Sequence, residues 1–182
     1  MGGIGLERGR VRLAPHDPRW GDLFAEAAQA VRASLGARAL GIEHVGSTAV
    51  PGLDAKPIID LMVGLGDLRA AHAAVPVLEG IGYAYREARE YREGRSPAEY
   101  LILVKGPEAN RTHHLRLNEY AGRDWTDQLL FRDHLRAHPE AAARYAALKL
   151  RLAAAFLEDR AAYGAGKEGL IREILAAARA AV

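Results

Sequence analysis

The sequence predicts an α+β fold: a mixed β-sheet flanked by helices, with a helical C-terminal region. Three observations predict it. Helix-like and strand-like segments are interleaved up to residue 80, three strand-like segments follow in a row between 82 and 118, and the chain from Trp125 onward is helical in pattern. Strands and helices gathered into runs favour α+β packing over a doubly wound sheet, in which they would alternate throughout. The chain is read as one domain, 1–182, because no repeat, low-complexity linker or second unit interrupts it.

Residues 1–10 are rich in glycine and read as a loose lead-in, followed by a short extended segment at 11–13. Asp17-Pro18 marks a helix start, since aspartate caps and proline suits the first helical position. Leu23, Phe24, Ala27, Ala30, Val31 and Leu35 recur at helical spacing, and Gly36 ends that helix. Residues 42–45 form a short strand that runs into Gly46-Ser47. Residues 58–63 are the clearest strand, apolar on both sides except at Asp60. Asp67 caps a helix that ends near Gly80. The segments 82–86, 100–105 and 112–118 are separated by polar or Gly/Pro stretches, as in a meander. Pro139 begins a new helix after His138, strong helix formers fill 141–157, and a last helix spans 167–180.

Composition narrows the function. The 182 residues suit one domain of ordinary size, with 49% hydrophobic residues to fill a core and 26% charged residues. The net charge of +2 helps attract phosphates but falls short of the basic footprint of a nucleic-acid-coating protein. There are no cysteines, which excludes disulfides, thiolate catalysis and cysteine-ligated zinc. No apolar run reaches the roughly 18–20 residues of a membrane helix, and the charged N-terminus lacks a signal-peptide core. The expected location is cytoplasmic, away from membranes.

The segment that carries chemistry is 43–60. A strand ends at Gly46, where the backbone can approach a ligand, and Ser47 offers a hydroxyl. A short helix from Thr48 would aim N–H groups at an anion. Lys56 adds charge for a phosphate. Asp60 sits among Ile58, Ile59, Leu61 and Met62, where a carboxylate is costly unless paired or bound to metal. Taken singly, Gly46-Ser47 reads as an ordinary turn, and Asp60 as a carboxylate paired with Lys56 or an arginine. The combination of turn, short connection and buried aspartate is more specific, and it looks like a nucleotidyltransferase signature.

The resemblance extends along the chain. Residues 42–63 resemble the hallmark of the GrpB family, a group within the nucleotidyltransferase superfamily. Pro15-His16-Asp17-Pro18-Arg19-Trp20 resembles the family's opening motif, and Arg111-Thr112-His113-His114-Leu115 its central histidine motif. Residues 131–139, followed by Tyr145-Ala146-Ala147-Leu148-Lys149, resemble its helical tail, and Tyr163 and Lys167 match its last positions. The resemblance implies a nucleotidyltransferase-like fold, with Gly46 and Ser47 on a triphosphate and Asp60 on divalent metal. It also implies a link to coenzyme A, because a domain of this kind occurs fused to dephospho-CoA kinase.

One position departs from an active transferase. Such enzymes place two carboxylates on alternate residues of one strand, and residues two apart share a face. Here the second position is Met62, and a thioether is a poor ligand for magnesium. Two rescues are open. Glu43 supplies the missing carboxylate, or His44, His113 or His114 shifts the preference toward manganese or zinc. Alternation at 112–118 puts His113, Leu115 and Leu117 on one face and His114, Arg116 and Asn118 on the other. With the apolar face inward, His114 and Arg116 face the cleft. Both histidines can instead simply satisfy backbone or carboxylate groups.

The candidate site is therefore Asp60, Glu43 and His114 for catalysis and divalent metal (Mg or Mn, with Zn as a further candidate), and Gly46, Ser47, Lys56, Arg116 and Lys167 for the phosphates of a nucleotide or similar small molecule. Arg86, Arg89, Arg92, Arg95 and Arg111 read as a solvated charge run around the meander, and 91–97 as a loop over the cleft. Trp20 and Trp125 read as packing anchors. Two functions follow: metal-dependent nucleotidyl transfer to an unknown acceptor, or a transferase-like fold that binds a nucleotide or coenzyme-like ligand without catalysis.

Overall fold

In a computed structural model describing residues 4–86 and 100–181, the first helix, α1 (Arg19–Leu35), starts just after Asp17, whose Oδ1 accepts the Arg19 N–H at 3.0 Å. Pro18 is the capping position itself, so the helix starts one residue later than expected. β1 (Gly41–Val45) leads through the 46–58 loop to β2 (Ile59–Leu65). Asp67 caps α2 (Leu68–Glu79), its Oδ1 accepting the Ala70 N–H at 2.7 Å. β3 (Tyr83–Arg86), β4 (Tyr100–Lys105) and β5 (His113–Glu119) follow. The C-terminal helices are α3 (Arg123–Ala137), α4 (Pro139–Ala155), α5 (Arg160–Ala165) and α6 (Glu168–Ala180). The expected loop at 91–97, with Arg89, Arg92 and Arg95, lies outside the described residues.

The strands form one mixed sheet in the order β1-β2-β5-β4-β3. β3, β4 and β5 make the expected antiparallel meander, β1 pairs antiparallel with β2, and β2 pairs parallel with β5. Strand alternation divides the sheet into two faces. Ile59, Leu61, Val63 and Leu65 of β2 pack with Leu115 and Leu117 of β5 against Trp20, Val31 and Leu35 of α1 and Ala71, Ala74 and Leu78 of α2. The other face of β2 carries Asp60, Met62 and Gly64. There Met62 and Val45 pack on Trp125 of α3. Both tryptophans are buried, as packing anchors should be. Gly64 makes room for α3, since a Cβ there would come within 2.7 Å of the Tyr120 ring and 2.9 Å of Trp125.

A second apolar cluster ties the helical region to the 46–58 loop: Val50 and Leu53 pack on Leu135, Tyr145 and Ile174. The cleft lies where this helical region meets the sheet face of Asp60.

Three expectations need correction. From residue 5 the N-terminal segment is fastened rather than loose. Gly5 N–H donates to Pro57 C=O at 2.6 Å, Leu6 bridges Arg111, and Val11 N–H donates to Leu157 C=O at 2.8 Å. Those backbone pairs also enclose Arg111, which is 2% exposed rather than part of a solvated run. Finally, Thr48 does not open a helix. Ser47–Ala49 is a single 3-10 turn, because the Ala49 and Val50 N–H groups turn back onto the carbonyls of Gly46 and Ser47. Three residues in a tight turn carry no summed helix dipole to aim at an anion.

Candidate functional site

The parallel seam sets the centre of the site. Asp60 on β2 stands opposite His114 on β5, and His114 Nδ1 lies 3.1 Å from Asp60 Oδ1. Gly46 closes over the same carboxylate. Its φ of +72° favours glycine, and a Cβ there would lie 2.5 Å from Asp60 Oδ2. Ser47 follows, and it eases the upward shift that burial imposes on the Tyr145 phenol of α4. Asp60 keeps 30% of its side chain exposed, so the carboxylate opens into the cleft. Burial pushes its pKa up, but the His114 hydrogen bond and polarity, then Arg116 and Lys56, outweigh that and hold it at about 2. Burial pulls His114 down to about 4 despite the neighbouring carboxylate. At neutral pH the pair is a carboxylate accepting an N–H from a neutral imidazole.

The other expected metal ligands do not join this pair. Glu43 lies on the cleft face opposite Met62, but its Oε2 accepts from Arg132 Nη1 at 2.7 Å. Met62 is fully buried beneath Trp125. His44 and His113 each follow strand alternation onto the opposite face. His44 stacks on Phe24 with centroids 4.6 Å apart, its Nε2 lying 3.0 Å from Thr48 Oγ1. His113 meets the edge of Tyr83 at 6.5 Å. Lys105 shares that face, over the Tyr83 ring at 5.4 Å. Among the described residues, no group of three or more His, Cys, Asp or Glu side chains is placed to hold a metal ion. The cage expected from Asp60, Glu43 and His114 is not assembled by these residues, because Arg132 takes up Glu43.

The cations do converge. Lys56 and Lys167 share the Tyr163 ring, their Nζ atoms 5.7 and 4.4 Å from its centroid. Lys149 of α4 is 1% exposed, donates to the Asp54 carbonyl and lies 5.1 Å from the Tyr145 centroid. Burial, then Lys167, bring the Lys149 ammonium down to about 7, with Asp54 pulling the other way. Burial also lowers Lys56, helped by Arg160 and Lys167 and opposed by Asp60. Burial raises the Tyr163 phenol to about 12. Arg116 faces the cleft as expected, but leans away: it lies 4.7 Å over the Tyr100 ring, with Nη1 3.9 Å from Asp124 Oδ2. A separate cavity of about 600 Å³, lined by Leu6, Val11 and Leu157 among others, contains none of these residues.

A catalogued protein family, the GrpB protein family, matches residues 10–177. The chain belongs to the GrpB family. The crystal structure of the conserved protein GrpB from Enterococcus faecalis superposes with a TM-score of 0.80 at 33% identity, covering 92% of this chain and 96% of that one. The UPF0157 protein PA4798 of Pseudomonas aeruginosa is 43% identical over 94% of this chain and 69% of its own length. A dephospho-CoA kinase of Mycolicibacterium paratuberculosis is 32% identical over 92% of this chain, which spans 46% of that protein.

Within the GrpB fold, the motifs read from sequence as separate stretches meet at one place. The histidine motif brings His114 to Asp60, while the tail brings Tyr145 to Ser47, Lys149 to the Asp54 carbonyl, and Tyr163 with Lys167 to Lys56. Sequence reasoning missed Lys149, Tyr145 and Arg160 as site residues. It also missed Arg132 and Arg136, which lie one helical turn apart on α3. Arg136 donates to the Ala49 carbonyl from Nε at 2.9 Å and Nη2 at 2.7 Å, and Arg132 to the His44 carbonyl at 3.0 Å. Their i,i+4 spacing was the available signal.

Proposed function

We propose that this GrpB chain binds a phosphate-bearing small molecule, a nucleotide or a coenzyme A-like compound, in the cleft between Asp60 and the C-terminal helices. One observation carries the reading: Lys56 acts on a carboxylate-imidazole pair beside a glycine turn, and Lys167 and Lys149 gather next to Lys56. Lysine ammoniums gathered in a partly desolvated pocket attract phosphate oxygens strongly, because water screens them poorly there. The backbone at Gly46 admits close approach, and the two tyrosines give the cations an apolar floor. The dephospho-CoA kinase relative makes coenzyme A compounds worth including among the candidates.

A second reading is nucleotidyl transfer from a nucleoside triphosphate to an acceptor. The observation that favours it is the ionised Asp60 in the sheet. Transfer of this kind uses divalent metal, Mg or Mn with Zn as a further candidate, to clamp attacking and leaving oxygens. The donor set fits this poorly. Asp60 stands with a neutral histidine, Met62 is sulfur and buried, and Glu43 is held by an arginine. The binding reading therefore leads.

Thermal shift of the purified chain against ATP, GTP, coenzyme A and dephospho-CoA, each with EDTA, Mg, Mn or Zn, tests both. A ligand for the folded state raises the transition temperature. We expect a shift with at least one phosphate compound, reduced in Lys56→Met. No shift with any compound under any condition overturns the binding reading. Turnover of labelled triphosphate by the wild-type chain, lost in Asp60→Ala, would replace it with the transfer reading.

A further inference from the structure

We propose that the cavity between the N-terminal strap and α4 binds an aliphatic monocarboxylate, its chain against the leucines and its carboxylate on Arg12. The site is separate from the cleft and does not depend on the binding reading above. The cavity measures about 600 Å³, within the roughly 300–1,000 Å³ of small-molecule pockets. The strap forms one wall and α4, with Leu157 just beyond it, the other. Backbone ties hold the strap in place: Gly5 N–H donates to Pro57 C=O at 2.6 Å, Val11 N–H to Leu157 C=O at 2.8 Å, and Ala14 and Ala55 pair in both directions.

The lining selects the body of the ligand. Leu6, Val11, Leu13, Leu150, Ala153 and Leu157 supply the apolar surface, and no lining residue is aromatic. Flat ring systems gain from aromatic faces, whereas a methylene chain needs only aliphatic contact. Leu150 and Leu157 are 51% and 59% exposed. A single exposed leucine is ordinary, but these two line one cavity with Leu6, Val11 and Ala153, which are buried. A chain laid between them takes both leucines out of water. Ala153 and Ala154 leave the room for it, since longer side chains there would fill the space.

The charges select the head group. Glu7, Arg10 and Arg12 are the charged lining residues. Arg10 is taken twice, by Glu7 at 3.5 Å and by Glu158. Outside the lining, Arg8 pairs with Glu108, which also reaches Arg111, and Asp159 caps α5. Arg151, next to Leu150 in sequence, is exposed and also lies outside the lining. Arg12 makes no hydrogen bond or ion pair among the described residues. It is exposed, so it stands at the mouth of the cavity. One unclaimed guanidinium beside an apolar cavity matches one carboxylate, which it can hold through two parallel N–H donors. An ammonium head group would be repelled there.

Calorimetric titration of the full chain with hexanoate, octanoate, decanoate, decanol and decylamine, below the concentrations at which they aggregate, tests the inference. We expect affinity to rise about three- to fourfold with each methylene from hexanoate to decanoate, and decanoate to bind above decanol and decylamine. Arg12→Gln should weaken decanoate about fivefold and leave decanol unchanged. Ala154→Trp, at an exposed position, should fill the cavity and abolish binding while leaving the thermal transition in place. Leu150→Glu, also exposed, gives the same reading if Ala154→Trp fails to fold. Decanol or decylamine bound as tightly as decanoate, indifference to Arg12→Gln, binding that survives both cavity substitutions, or no binding by decanoate overturns the inference and leaves the reading of the cleft standing. Dimerisation in sedimentation, lost in Leu150→Glu, overturns it in favour of a second copy on this face.

Discussion

At the scale of single residues, Gly46 and Met62 make the sharpest predictions. Gly46→Ala combines a strained φ with a methyl group pressed onto the Asp60 carboxylate, and should lose about 1–3 kcal/mol of stability. Chemical denaturation measures it, and an unchanged midpoint would mean that the turn relaxes freely. Met62→Asp restores the alternate carboxylate of an active transferase on paper. In the fold it buries an unpaired charge beneath Trp125, and should lose about 3–5 kcal/mol with no gain in metal affinity by titration. Gly46 and Asp60 were legible in the sequence because each breaks its surroundings, a glycine at a strand end and an acid in an apolar strand. Lys149 was not. A lysine in an alanine-rich helix is an ordinary helix former, and only the docking of that helix turns it inward.

At the scale of elements, α3 works as a clasp. Arg132 and Arg136 reach from one helix face to the carbonyls of His44 and Ala49, on either side of the Gly46-Ser47 turn. Arg136→Ala should lose about 1–2 kcal/mol and raise hydrogen-exchange rates in the 46–50 backbone more than in β2. Equal protection in both would separate the turn from the clasp. Strand and helix bounds were largely legible, because hydrophobic period and caps are local signals. The turn at Ser47 was misread as a helix because two N–H groups close on carbonyls three residues back, a choice that composition does not encode. The N-terminal strap was misread for a similar reason. Glycine-rich sequence announces backbone freedom, while the fastening partners, Pro57 and Arg111, lie far along the chain.

At the scale of the whole molecule, the mixed sheet followed from the grouping of strands and helices. The parallel seam between β2 and β5 did not, because it joins residues 54 positions apart, as for Asp60 and His114. The sheet buries His44 and His114 and half-buries His113, and the loss of water around them pulls all three from 6.5 to about 4. Between these values the unfolded chain binds more protons than the folded one, so stability falls as pH falls through that window. Asp60, lowered from 3.8 to about 2, adds its own loss only below that range. Lys149 acts at the other end. Its drop from 10.5 to about 7 means that stability rises with pH across that interval. Circular dichroism melts should therefore show a transition temperature that declines from neutral pH toward 4. A flat profile there would contradict the burial of the histidines.

The two tryptophans stand on opposite sides of the sheet, Trp20 with α1 and Trp125 with α3. Each half of the molecule thus contains its own optical reporter. With Trp20→Phe, the remaining emission comes from the indole that covers Met62, two positions along the strand from Asp60. Its colour and quenching by iodide then follow whether the helical region sits on the sheet or lifts from it, while ligand is added and without any attached dye.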